Sequence, residues 1–489
     1  MRVTRTARTQ GTASEPVQQP ELGATPGREP CDLLVRHGYL LTLDPRRTVY
    51  ADGAVAIKGR TIAAVGPDGD LARRFDAGRV LDARGAPVHP GFVDCHVHTT
   101  IHTTRGVFPD VPRFVGSSAS YADWYNALYG EDEYAATLLA CLEMLRAGTT
   151  CFMEPGTVFE PDAAAAAIRA VGIRGSLGDP FLWDYTDFLP LSRTLERAPA
   201  RTGRALGLLG GQLWRNQDPD ALVRGHVALY GGVTASDELT LAASECARSN
   251  GVALTQHQSA RAPEAAADDA RFGRHPLVHY ADIGALGPHC AFVHMNMLRP
   301  DEHAPIRDAG LSLVWCAANS MNWGNGAAIP YRGSIPDLFH QGTNVALGSD
   351  TGKFGMDQQA VAGYLLARDR DAAPLEAEDL IEIATLGGAR AMQMADRIGS
   401  LEPGRRADLV IRTADVAEVQ PGVGVPQSVV LSGRSRSVDT VLVDGQIVLR
   451  GGRSTRVDEG VVYETARTSL AGVLRRSGIR PQPRWEPIP

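Results

Sequence analysis

An α/β fold is predicted by this sequence: a TIM-like (β/α)8 barrel with a small composite β-sandwich built from both ends of the chain. Three observations carry the prediction. Eight short apolar runs alternate with helical stretches through the middle of the chain. β-rich segments flank that middle on both sides, and four of the runs end in, or just past, an ionisable residue. The chain has 489 residues, 44% apolar and 21% charged, enough to bury a large core and too apolar for general disorder.

Residues 1–30 are rich in Thr, Pro, Gln and Gly and read as a disordered leader without the hydrophobic run of a secretory signal. Residues 31–89 hold Gly-broken strand patterns, and 398–455 hold more, including a hairpin signal at Asp444-Gly445; together they form the expected sandwich. The barrel occupies 90–397. Its strands are expected at 92–97, 149–154, 172–178, 226–231, 251–257, 290–294, 311–316 and 344–350. Helices are expected between them, as at Glu133–Ala147 and Ser236–Ser249. A doubly wound sheet is the weaker fit, because no Gly-rich dinucleotide fingerprint follows the first strand. Residues 456–489 supply one helix and a Pro-rich tail.

Composition narrows the partners. A net charge of −7 without a basic run argues against nucleic acid, and no stretch approaches the ~18 apolar residues of a membrane span. Seven scattered cysteines with no Cys-x-x-Cys pair indicate a reduced, cytoplasmic setting.

The chemistry begins at the first barrel strand. His96 and His98 are two apart, which puts both side chains on one face of a strand. Alone the pair is weak, since 13 histidines in 489 residues give about 0.3 such pairs by chance. Other strand ends strengthen it: "VALTQHQ" carries His257, "CAFVHMN" carries His294 and "NVALGSD" ends in Asp350. Catalytic groups of a barrel sit at the C-terminal ends of its strands. Imidazoles with a carboxylate suit Zn²⁺ or Fe²⁺ with a position left for water. Cys95 alternates with the two histidines and is expected to face away from the lumen.

With these residues in place, the sequence resembles the amidohydrolase superfamily, in the branch that holds nucleobase and S-adenosylhomocysteine deaminases and triazine hydrolases. The likeness rests on "HPGFVDCHVH", "LEMLRAGTTCF", "GIRGSLGD", "NVALGSD", "LGGARAM", "IGSLEPGRRADLVI" and "VLVDGQIV" and runs from about residue 31 to 455. It implies His96, His98, His257 and Asp350 as metal ligands, with Asp350 also passing a proton and His294 holding water or the developing oxyanion. Neither lysine, Lys58 or Lys353, falls in the fourth strand, so one divalent metal is expected, zinc first and iron second. The resemblance further implies hydrolysis of a C–N bond, by deamination or by opening of a cyclic amide or amidine, in a small cyclic or heteroaromatic molecule. A homo-oligomer is the expected assembly. C–Cl hydrolysis and a metal-binding pseudoenzyme are the alternatives.

Candidate substrate contacts are Trp124, Trp183, His102, Asn319, Asn322 and Trp323, with Asn325 and Arg105 beside them. One departure stands out. The deaminase branch reads His-x-x-Glu after the fifth strand, whereas this chain reads His257-Gln258-Ser259-Ala260. Glu264 follows in the next helix and is expected to point elsewhere. Ordinary nucleobases should then be poor substrates, unless a substitute such as His102 or a bound water protonates the ring.

Overall fold

The computed structural model describes residues 27–108, 121–185, 195–197, 202–322, 334–368 and 373–481. The leader up to residue 26, Trp323 and Asn325 lie outside them.

Parallel strands make up the middle of the chain. One sheet runs in the order Phe92–Asp94, Thr149–Glu154, Arg174–Leu177, Val223–Gly225; a second runs Val227–Gly231, Leu254–Gln258, Cys290–His294, Ser312–Trp315, Val345–Leu347. Only His226 separates the last strand of one from the first of the other. His226 N–H bonds Leu177 O and Val227 N–H bonds Ala253 O, so the chain there touches both neighbours. At the opposite seam Cys95 N–H bonds Leu347 O, and Asp350 N–H bonds His96 O. Both faces of these strands are buried, as parallel strands under helices require.

The helices have local causes. Gly130–Arg146 opens on an acidic first turn and Asp237–Asn250 is capped by Ser236, whose Oγ accepts from Leu239 N–H. Pro161 begins Pro161–Val171, and Gly172 ends it in the left-handed conformation.

Strands from both chain ends hydrogen-bond into one nine-stranded sheet, and Leu33, Val35, Val55 and Ile57 share a core with Leu409, Ile411 and Leu442. The join is antiparallel pairing of Leu409–Arg412 with Pro87–Pro90. The hairpin Val438–Val443/Gln446–Arg450 turns at Asp444-Gly445, both with positive φ, matching the right-handed twist of the strands. It pairs with Leu409–Arg412, and its Leu442 shares a core cluster with Leu33, Val35, Val55 and Ile57 of the N-terminal strands, while Gly445 comes up against Ile57 and Gly59. The first strand starts at Glu29, two residues inside the expected leader, because Glu29 and Pro30 pair with Phe75 and Asp76.

The helix Glu459–Ser477 packs across Gly130–Arg146. Its Val473 joins Trp124, Tyr125, Phe181 and Trp183 in one apolar cluster above the barrel.

Candidate metal centre and active site

Four imidazoles and one carboxylate meet at the C-terminal ends of strands one, five, six and eight. Donor atoms of His96, His98 and Asp350 lie within 4.8 Å of one another, as do those of His96, His257 and His294. His98 and His257 approach Nε2 to Nε2 at 3.2 Å, and Asp350 Oδ1 stands 3.5 Å from His98 Nε2 and 3.7 Å from His96 Nε2.

The tautomers follow from the partners. Thr157 spends its hydroxyl hydrogen on Glu154 (2.5 Å), so its oxygen accepts from His98 Nδ1–H at 2.9 Å. His257 Nδ1 faces the Tyr230 carbonyl, which can only accept, so that nitrogen also carries its hydrogen. Burial and neighbouring imidazoles push His96 and His98 well below their usual range; burial, with His294 beside it, lowers His257 to about 4. Burial also lowers His294 to about 4. The rings are therefore neutral at pH 7, and the Nε2 lone pairs of His98 and His257 face each other. Both nitrogens of His96 lack a hydrogen-bond partner among the described residues. Facing lone pairs beside a carboxylate repel unless a cation lies between them, and the N₃O donor set suits a divalent metal.

The backbone is bent to make this possible. His294 (φ 73°), Met295 (φ 49°), Ser259 (φ 46°) and Asp350 (φ 62°) adopt the left-handed region at three strand ends. Strict alternation is thereby broken at strand six: Ala291 and Val293 pack in the interior cluster, yet His294 also reaches the centre.

Gly348 allows the eighth strand to close on the first, since a Cβ there would lie 2.6 Å from that of His96. Asp94 Oδ1 accepts from His96 N–H and Ser349 N–H, tying the same two strands; burial raises its carboxyl to about 6. Burial also raises Asp350, while a hydrogen bond from Asn319 pulls it back down. Asn319, buried, donates to Thr351 Oγ1 as well, which holds it beside the carboxylate. Asn322 ends the short helix Ala317–Asn322 that Asn319 belongs to.

Other candidates sit farther back. Trp124 is fully buried, its Nε1–H donating to Thr100 O at 3.3 Å. Trp183 is buried behind Tyr230, edge to face at 5.1 Å, and Tyr230 in turn lies 5.2 Å from the His257 ring. His102 bonds the His98 carbonyl and lines a cleft of about 410 Å³ with Arg105 and Glu143; burial lowers it to about 4. Cys95 does not face away from the lumen. It packs with Cys151, Met153, Val293 and Val314 of strands two, six and seven, because regular pairing of the first strand stops at Asp94 and the alternation with it.

Glu264 keeps the place read from the sequence. It lies in the helix Ala262–Phe272 as expected, where it is buried and its Oε1 accepts from Arg261 at the start of the same helix. Sequence reasoning missed Thr157, Glu154 and Tyr230. Tyr230 had a usable signal, because "VALYGG" is another apolar run ending in a functional side chain at a strand's C-terminal end.

This fold and site define a metal-dependent hydrolase of the TIM-like barrel class. The family described as "Amidohydrolase family" matches residues 88–448, and the chain belongs to it. It is 31% identical over 458 residues to a 5-methylthioadenosine/S-adenosylhomocysteine deaminase of Syntrophobacter fumaroxidans, covering 90% of this chain and 98% of that one. A 5'-deoxyadenosine deaminase of Methanosarcina mazei is 27% identical, with 91% and 99% covered. An adenosine deaminase structure from Xanthomonas campestris with bound zinc superposes with a TM-score of 0.80 at 27% identity, covering 92% of this chain and all of that one. The protein is thus a hydrolase of carbon–nitrogen bonds other than peptide bonds, and its site is built for a divalent metal.

Proposed function

We propose that the protein is a mononuclear deaminase that replaces the exocyclic amino group of an adenosine-type ring with oxygen and releases ammonia. The observation that carries the reading is the pair of neutral imidazoles, His98 and His257, with lone pairs facing at 3.2 Å beside Asp350. His96, His98, His257 and Asp350 would hold one divalent metal, zinc before iron. When bound, that metal acidifies a water molecule toward neutral pH. Asp350 takes the water's proton and passes it to the departing amino group. His294 stabilises the charge that develops on oxygen, and the ring of Tyr230 forms the wall along which a flat substrate lies.

The same reading divides the chain as the sequence suggested. Residues 90–397 form a closed eight-stranded barrel, supported by the hydrogen bonds at His226 and across Cys95 and Leu347. Residues 31–89 and 398–455 form one flanking β unit, supported by the pairing of Leu409–Arg412 with Pro87–Pro90, and 456–489 carry the covering helix. Partners are small molecules, and the proposed setting is a cytoplasmic homo-oligomer.

The test is ammonia release by zinc-loaded protein from adenosine, 5'-deoxyadenosine, 5'-methylthioadenosine and S-adenosylhomocysteine, beside guanine and cytosine. Turnover of at least one adenosine-type compound supports the reading. Release from none of them, with one metal bound per chain, would reject it.

A further inference from the structure

A groove of about 730 Å³ lies at the base of the barrel, at the end opposite the metal centre. It follows the seam between the two parts of the molecule. Gly172 and Val223, where strands three and four begin, line it together with Val443 and Val448 of the hairpin. Its volume is that of a small-molecule site. Four arginines converge there: Arg169 and Arg215 from the barrel, Arg60 and Arg456 from outside it. The guanidiniums of Arg169 and Arg456 have no hydrogen-bond or ion-pair partner among the described residues. Arg456 nevertheless reaches across the seam, its Nε 3.6 Å from where a Cβ of Gly172 would stand.

Arg215 adds a second kind of signal. Its side chain is only 2% exposed; Nε donates to Gln212 Oε1 at 3.0 Å and Nη2 reaches the exposed Asp162. Its Nη1 is buried without a partner among the described residues. A buried donor left unmatched costs free energy, which an acceptor brought by a ligand recovers. The acids of the groove are already engaged. Asp444 is held by Arg174 at 2.5 Å and Asp220 by Arg406, neither of which lines the groove, and Asp218 Oδ1 accepts from Asp220 N–H at 2.8 Å. Trp214 lines the same groove, 53% exposed, with the Arg215 guanidinium 4.6 Å from its ring centroid.

We propose that this groove is a second ligand site, one for a multiply charged polyphosphate anion. Arg169, Arg215 and Arg456 take the phosphate oxygens, since the planar guanidinium fork matches phosphate geometry. Where the anion is a nucleotide, its base lies against Trp214. The site stands apart from the chemistry at the metal centre, and its occupant ties the barrel to the flanking strands.

The alternative is that Arg169, in the last turn of Pro161–Val171, and Arg456 beside Gly172 only complement the carbonyl end of that helix. Calorimetric titration of the zinc-loaded full chain with inorganic tripolyphosphate and with UTP decides, with bound zinc measured before and after. We expect at least one anion to bind with Kd below about 1 mM, and the thermal midpoint to rise with its concentration. Arg169→Gln and Arg456→Gln should each weaken that binding about 10–100-fold. Arg467→Gln, which removes one charge of an exposed pair with Glu464 away from the groove, should leave it unchanged. UTP binding more tightly than tripolyphosphate, with the difference lost in Trp214→Ala, supports the site and identifies a nucleotide. Equal affinities support it and identify the inorganic chain. Absence of binding by either anion below about 1 mM overturns the proposal. So do Arg169→Gln and Arg456→Gln proteins that bind as tightly as Arg467→Gln. If one of the two variants does not fold, the other decides.

Discussion

Two buried charged clusters in this chain obey opposite rules. Near the base of the barrel, Arg174 donates through Nε and Nη2 to Asp408 at 3.0 and 3.2 Å and through Nη2 to Asp444 at 2.5 Å, while Asp444 N–H bonds Asp408 Oδ1. Arg174 belongs to the third barrel strand and the two aspartates flank strands of the nine-stranded sheet, so the cluster joins the two parts of the molecule. Its donors and acceptors are matched. At the top, His96, His98, His257 and Asp350 are buried or nearly so, yet their lone pairs point at one another. A buried polar group left unmatched costs free energy, so a fold retains such a group where it serves a use. Matching marks the structural cluster and mismatch the functional one.

Four measurements break or sharpen that contrast. Asp350→Asn should lower turnover by about 10²–10⁴-fold or more, since it removes a proton carrier and a metal donor together, with bound metal measured alongside. Arg174→Ala should leave Asp408 buried without its cation, with Asp444 keeping only Arg406 at 3.6 Å, and cost about 3–5 kcal/mol in chemical unfolding. Its kcat/KM, measured on the folded fraction, should stay near wild type. Thr157→Val removes the acceptor that fixes His98 Nδ1–H and should weaken metal affinity about 10–100-fold, read by competition with a chelator.

The smallest effect tests the rule itself. Asp268 is buried with Oδ1 unpartnered among the described residues, but it stands apart from the imidazoles. Burial raises its carboxyl from 3.8 to about 7. Because the folded value lies above the unfolded one, its contribution is full below about pH 4 and lost as pH rises through about 7. Asp268→Asn should flatten that decline by on the order of 1 kcal/mol between pH 5 and 8, measured by unfolding at each pH.

What the sequence disclosed follows from the range over which each feature is encoded. His96, His257, His294 and Asp350 were visible because each closes an apolar run, and strand ends are local. The Asp444-Gly445 hairpin was visible for the same reason. Thr157 and Glu154 were not, because their link to His98 spans 59 residues from His98 to Thr157 and depends on how two strand-end loops meet. Cys95 was misread because period two was carried past the end of the regular strand.

The left-handed backbone at His294 and Asp350 limits what this site can become. Outside glycine, that conformation is best tolerated by asparagine, aspartate and histidine. Those three side chains present an amide, a carboxylate or an imidazole. Thiolate or thioether donors at either position would have to bear a backbone conformation their side chains disfavour. Changes of donor at Asp350 are therefore channelled toward nitrogen and oxygen by the chain's own geometry, before ligand chemistry enters.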